Sequence, residues 1–294
     1  MKGFNQKVAE RQKLLGHALC VGLDPDLEKI PEKYQQMKSD STDRISRWMK
    51  DVVRDTAEFA TVFKPQMAYY ERHGHKGIDM LAHIIAHIRH YHPEIPIFLD
   101  GKRGDIDRTQ RQYRFAMFDA FGCDATNVSP YMGREPLVDM YDPNYPHRGI
   151  TTLVYTSNKG AREFQDAIVT EPDTGERMPI WLFAGKLALK YASEVGIQNL
   201  GFVMAAAHDK YGNVFSDHLN RCREMDEGKV PYLMPGFGAQ GGYVEASVHA
   251  GWAGWGSLMM NSSSGISNAE NPREAAQRLA EQIGEAIAKK PTVA

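Results

Sequence analysis

The chain of 294 residues sets 35 lysines and arginines against 37 aspartates and glutamates, and its formal charge of −2 builds no field for nucleic acid or an anionic membrane. Its hydrophobic content of 42% is that of an ordinary soluble globular protein, and no apolar run approaches the roughly 20 residues that cross a bilayer. Cys20, Cys123 and Cys222 are odd in number and form no C-x-x-C pair, which argues for buried reduced thiols in a cytoplasmic protein rather than a disulfide framework or a thiolate zinc site.

From the start, MKGFNQKVAERQK has charge but no apolar stretch of the kind a secretory signal needs. Ala18–Leu23 reads as a strand stopped by Asp24-Pro25. Ile45, Trp48, Met49, Val52, Val53 and Ala57 recur at helical spacing over 42–59, with Thr42 or Asp43 as cap. Thr61–Pro65 is a second strand, carrying Lys64, and 78–91 a second helix with Leu81, Ile84, Ile85 and Ile88 on one stripe. Ile95–Leu99 is a third strand, and the helix after it runs from about Asp107 to Phe121, before Gly122. The pattern repeats with strands at 124–128, 150–155, 200–205, 230–234 and 257–260. Helices are expected near 135–141, 180–194, 216–225 and 272–288, the last with Pro272 in its first turn. A turn cluster, Glu171–Glu176, marks a surface excursion near 160–180.

About eight strand–helix units without a Gly/Ser/Pro-rich linker predict an α/β fold, a single (β/α)8 TIM barrel over 1–294 as one domain. All strand carboxyl ends then face one mouth, which collects Asp24, Lys64, Asp100, Lys102, Asp105, Ser157 and the loop from Pro235 through Gly238 and Gln240 to Gly242. Aspartates flanking Lys102 favour its cationic form, which suits proton donation to a carbanion and not a Schiff base. The 235–242 loop has four glycines in eight residues, so backbone N–H groups can approach an anion, and loops after strands seven and eight are the usual phosphate site of barrels. His83, His87 and His90 fall at metal-ligand spacing but on an outer helix far from the mouth, so no metal site is expected from them.

These residues resemble the orotidine 5′-phosphate decarboxylase family, in its longer bacterial-type branch. The resemblance rests on L-D-G-K-R-G-D-I-x-x-T at Leu99–Thr109, with C-V-G-L-D-P-D at Cys20–Asp26, F-K-P-Q at Phe63–Gln66 and P-G-x-G-A-Q-G-G at Pro235–Gly242 in the expected order. Val128–Gly133 and Tyr155–Asn158 resemble two further loops of the family. It implies decarboxylation of orotidine 5′-monophosphate to UMP in de novo pyrimidine synthesis, with no cofactor and no metal. Lys102 would protonate C6, Asp100 would sit near the departing carboxylate, and Lys64 would complete a charged chain with the ribose. Asp105 and Thr109 would reach the neighbouring subunit's site, making the active unit a homodimer. Asp24 would bind the ribose and Ser157 the pyrimidine. Gln240 would bridge base and phosphate, with Pro235 and Gly238 in the same substrate-binding loop.

Ser264 stands where the resemblance leads one to expect a phosphate-clamping arginine, and a hydroxyl cannot replace a guanidinium's charge. Asp107-Arg108 replaces small residues before Thr109, and Ser129 replaces an asparagine. The expectation is weakened substrate affinity unless Arg134, Arg108 or another base compensates. Two other readings stay open: a non-catalytic nucleotide-binding homodimer, and a metal-dependent phosphosugar decarboxylase or epimerase on the same barrel.

Overall fold

The computed structural model describes residues 1–208, 213–237 and 243–290. Eight strands, counted among these residues, form one parallel sheet: β1 Leu19–Leu23, β2 Val62–Pro65, β3 Phe98–Arg103, β4 Ala125–Val128, β5 Gly149–Tyr155, β6 Leu200–Met204, β7 Tyr232–Pro235 and β8 Leu258–Ser262. The order is β2-β1-β8-β7-β6-β5-β4-β3, and bridges from Phe63 to Ile97 and from Gln66 to Asp100 close β2 onto β3. This is the predicted (β/α)8 barrel. Its strands are buried along nearly their whole length, which explains why they read as continuous apolar runs without alternation.

Around and below the sheet lie the helices α1 Phe4–Leu15, α2 Ser41–Thr56, α3 Gly74–Tyr91, α4 Asp107–Arg114, α5 Glu135–Val138, α6 Ile180–Val195, α7 Asp217–Asp226, α8 Val244–Gly251 and α9 Pro272–Lys289, with short turns of helix at Glu32–Gln35, Ala68–Glu71, Ala161–Phe164 and Ser264–Ser267. The cap of α2 is Asp40, which accepts from the Asp43 N–H, and not Thr42 or Asp43 as the sequence suggested. The helix after β3 turns π-helical over Phe115–Ala120, and Gly122 then takes φ +68°. In the excursion near 160–180, a short hairpin pairs Ile168–Thr170 with Arg177–Pro179. On α7, Arg223 donates to the carbonyls of Gly251, Val230 and Ser257 and lies 3.4 Å over the Tyr232 ring, tying α7 and α8 to β7 and β8. Among the described residues no helix is long and apolar enough to cross a membrane.

The sequence pattern gives no sign of α1, and it implies a helix after the 235–242 loop without bounding it; that helix is α8. α1 closes the end of the barrel opposite the mouth. Its Phe4 and Val8 pack with Cys20, Val62, Phe98, Ala125, Val203, Leu233 and Met259, one inward residue from each of seven strands. Gly149 makes this possible, because a Cβ there would come 2.6 Å from the Phe4 ring. Lys7 pairs with Asp124 at 2.8 Å, and Gln12 donates to the Leu258 carbonyl at 2.6 Å. With α1 packed across that end, the carboxyl ends of the strands form the face where barrels of this kind bind ligands.

His17 follows α1 and is 7% exposed, with Nδ1 accepting from the Leu19 N–H at 3.3 Å. Burial, and then the Arg11 charge, push its pKa from the ordinary 6.5 down to about 4. Below the ordinary value the unfolded chain takes up a proton that the folded chain refuses, so this contribution to stability is lost as pH falls from about 6.5 to about 4. Denaturant midpoints measured between these limits are expected to drop with pH, and His17→Gln is expected to flatten the slope by up to about 1.4 kcal/mol per pH unit, the effect of one proton. An identical slope in the variant contradicts the assignment.

Candidate active site

β3 was expected to end at Leu99, but it continues through Arg103. Leu99 pairs with Thr126 and Arg103 with Val128, so β3 bulges across Asp100–Lys102. Lys102 sits at φ +46°, a left-handed conformation that a non-glycine residue adopts only where its surroundings impose it. The imposing neighbour is Asn127 on β4. Its Oδ1 accepts from the Lys102 backbone N–H at 2.7 Å, and its Nδ2 donates to Asp100 Oδ1 at 2.7 Å. Asn127 was missed in the sequence, where the only signal was an amide inside the buried strand ATNV.

The strand ends assemble an alternating row of charge. Lys102 Nζ stands 2.7 Å from Asp100 Oδ1, and Lys64 Nζ stands 3.2 Å from Asp100 Oδ2 and 3.8 Å from Asp24 Oδ1. Burial alone would push the Asp100 carboxyl up. Lys64, Lys102 and the amide of Asn127 overcome it and hold the pKa at about 2. Burial likewise opposes the charge on Lys64, and Asp24 and Asp100 outweigh it, leaving its pKa above the usual lysine range. Lys64 and Asp100, at the centre of the row, are therefore both ionised at neutral pH. Asp24 Oδ1 is buried and has no hydrogen-bond donor among the described residues, since 3.8 Å to Lys64 is an ion-pair distance only.

This row lines a cavity of about 420 Å³, with Gln66 and Tyr69 from the segment that follows β2 and Asp26 and Lys29 from the β1 loop. Pro235–Phe237 and Asn261, Ser263, Ser264, Gly265 and Asn268 supply the opposite wall. Of the residues singled out in the sequence, the structure thus brings together Asp24, Lys64, Asp100, Lys102, Pro235 and Ser264. Asp105, Thr109 and Ser157 do not line this cavity. Asp105 accepts from the Ile106 N–H, and Thr109 is exposed on α4. Ser157 faces a small cleft with Asn158, Arg162, Ala205 and His208. Gly238 and Gln240 lie outside the described residues.

Neither base suggested as a substitute for a clamping arginine lines the cavity: Arg134 pairs with Glu194 at 3.3 Å, and Arg108 is exposed on α4. His83 and His90 are exposed on α3 and His87 half-buried, on the outer side of the barrel. All three cysteines are free and buried. A second cavity, of about 370 Å³, lies between the β4–β5 side of the barrel and α6, beside Leu137, Thr152, Val154 and Trp181. Among the described residues no charged side chain lines it, so these offer no charge to stabilise one that develops in a reaction.

Residues 17–279 match the model of the Orotidine 5'-phosphate decarboxylase / HUMPS family. Among curated relatives, the orotidine 5′-phosphate decarboxylase of Dechloromonas aromatica is 37% identical over 278 residues, covering 92% of each chain. That of Cupriavidus necator is 34% identical over 288 residues, covering 97% of each. Among solved structures, Leishmania donovani OMP decarboxylase superposes with a TM-score of 0.77 at 28% identity, covering 97% of this chain and 99% of that one.

Proposed function

Because the chain belongs to the orotidine 5′-phosphate decarboxylase family, and is thereby a carboxy-lyase of pyrimidine biosynthesis, we propose that it converts orotidine 5′-monophosphate to UMP with Lys102 as proton donor to C6 and without a metal. One observation carries this reading: the alternating row of Asp24, Lys64, Asp100 and Lys102 at the barrel mouth. Loss of carbon dioxide from C6 leaves an electron pair in a ring orbital with no conjugated sink. Catalysis then depends on positive charge already held in place where the negative charge develops. As the C6–carboxyl bond breaks, its electron pair stays on C6 and takes a proton from Lys102 Nζ, while carbon dioxide leaves.

Exposure distinguishes the two lysines. The Lys102 side chain is 46% exposed and can recover a proton from water after each turnover, whereas Lys64 is 4% exposed and fixed between two carboxylates. Lys64 keeps the row in register and holds Asp100 ionised beside the substrate carboxylate. Asp24 Oδ1, a buried acceptor, suits a ribose hydroxyl. Both oxygens of Asp100 are already engaged by ammonium and amide donors, and the described residues hold no group of three or more His, Cys, Asp or Glu side chains placed to bind a divalent ion. This disfavours the metal-dependent phosphosugar reading.

The active unit is read as a homodimer. Asp105 and Thr109 stand outside their own chain's cavity on a face that also exposes Ile106, and Tyr131 and Met132 of the next loop are exposed as well. There the two residues are available to a neighbouring site. Ser157, Gly238 and Gln240 are assigned to base and phosphate on the family resemblance. A cytoplasmic enzyme fits the three reduced thiols.

The test is the absorbance loss of orotidine 5′-monophosphate on incubation with the purified chain, with and without EDTA. Equal rates are expected in both. Turnover that EDTA abolishes would overturn the metal-free mechanism, and no turnover in either would overturn the substrate.

A further inference from the structure

We propose that Lys29 supplies the counter-charge for the substrate phosphate, an inference that rests on the nucleotide reading above. In (β/α)8 barrels a phosphate is usually held by the loops after the seventh and eighth strands. Among the described residues the wall from that region consists of Pro235, Gly236, Phe237, Asn261, Ser263, Ser264, Gly265 and Asn268, which offer hydroxyl, amide and backbone groups but no cation. A phosphate dianion against that wall needs positive charge from elsewhere in the cavity.

Three cations line the cavity among its described residues: Lys29, Lys64 and Lys102. Lys64 and Lys102 are committed to Asp100, at 3.2 and 2.7 Å. Lys29 Nζ lies 3.7 Å from Asp26 Oδ2, beyond hydrogen-bond reach, and its side chain is 60% exposed. It can turn from Asp26 to an incoming phosphate without breaking a short bond.

Topology puts Lys29 on the correct side. β1 pairs directly with β8, Val21 opposite Ser262. The two strand ends are in such close contact that a Cβ at Gly22 would fall 2.0 Å from Ser263 Oγ, so only glycine fits there. The loop leaving β1 therefore begins against the Ser263–Ser264 wall. The turn Leu27–Lys29 is fixed by the Asp26 side chain, which accepts from the Glu28 N–H at 3.1 Å, and by the Lys29 N–H donating to the Asp26 carbonyl at 3.0 Å. Lys29 and Asn268 also share the rim of an adjoining cavity of about 230 Å³, which places the lysine beside the last residues of that wall. A single ammonium is a point charge without the two-pronged geometry of a guanidinium, so the clamp is adaptable and sensitive to salt.

Calorimetric titration of UMP and of uridine separates the phosphate from the rest of the ligand. Lys29→Ala is expected to weaken UMP about 10- to 100-fold, the effect of one charge-assisted hydrogen bond, and to leave uridine unchanged. Lys29→Arg is expected to retain UMP binding, and adding Ser264→Arg to Lys29→Ala to restore it by placing a guanidinium in the same wall. UMP binding unaffected by Lys29→Ala, or equal losses for UMP and uridine, overturns the assignment. The outcome is separable from the decarboxylase reading. A wild type that binds UMP through Lys29 but turns over no orotidine 5′-monophosphate sinks that reading alone. One that turns it over with a KM indifferent to Lys29→Ala sinks this inference alone, and a wild type that binds no UMP sinks both.

Discussion

Lys102→Ala is expected to lower kcat for orotidine 5′-monophosphate by on the order of 10⁴-fold, since it removes the proton donor and the nearest preorganised cation together. Binding of the product UMP is expected to stay within about threefold, because the phosphate and ribose contacts are made elsewhere. The fold should tolerate the change. Lys102 is held at φ +46° by its backbone N–H bond to Asn127, and alanine keeps that N–H and faces the same conformational cost. The side chain is 46% exposed, so its loss opens no buried cavity. Asp100 would keep Lys64 and Asn127 as partners and remain ionised at neutral pH. Single-turnover rates beside UMP titrations measure both quantities. A variant that turns over within tenfold of the wild type removes Lys102 from the chemistry.

Asp105 belongs to the same charged stretch as Lys102 but stands outside its own cavity, so Lys102→Ala and Asp105→Ala are expected to damage different copies of the site. Each variant alone should be nearly inactive. Mixed after unfolding and refolding, they should recover about a quarter of wild-type activity. Half the dimers are then mixed, and each mixed dimer carries one site with neither substitution. Recovery near zero, with both variants folded and dimeric, contradicts a shared site. Full activity in Asp105→Ala alone contradicts it as well.

The barrel was legible because its strands are short apolar runs bounded by turn residues and spaced by amphipathic helices. The charges at the mouth were legible for a related reason: Lys64 and Asp100 are polar residues at the ends of buried strands, where burial has to be compensated by a partner. Other features depend on contacts that sequence spacing does not encode. Asn127 governs Lys102 from across the sheet, 25 residues away. α1 buries only Phe4, Val8 and Gln12, too few to announce an amphipathic helix, and its role as a plug exists only once the barrel closes. The end of β3 was misplaced because charge normally ends a strand, whereas here a bulge and the Asn127 amide keep Asp100–Lys102 in the sheet. Lys29 gave no signal at all. It sits in an ordinary polar turn, and only the pairing of β1 with β8 brings it to the uncharged wall.

If the lysine–aspartate row at the barrel mouth carries the chemistry, the C6 carboxylate of orotidine 5′-monophosphate leaves as carbon dioxide through it. Substrate labelled with carbon-14 in that carboxylate tests it most directly, with released carbon dioxide and UMP counted in the same reaction. The wild type is expected to release one labelled carbon dioxide per UMP with EDTA present, and Lys102→Ala to stay near background. Release no greater in the wild type than in Lys102→Ala would contradict it.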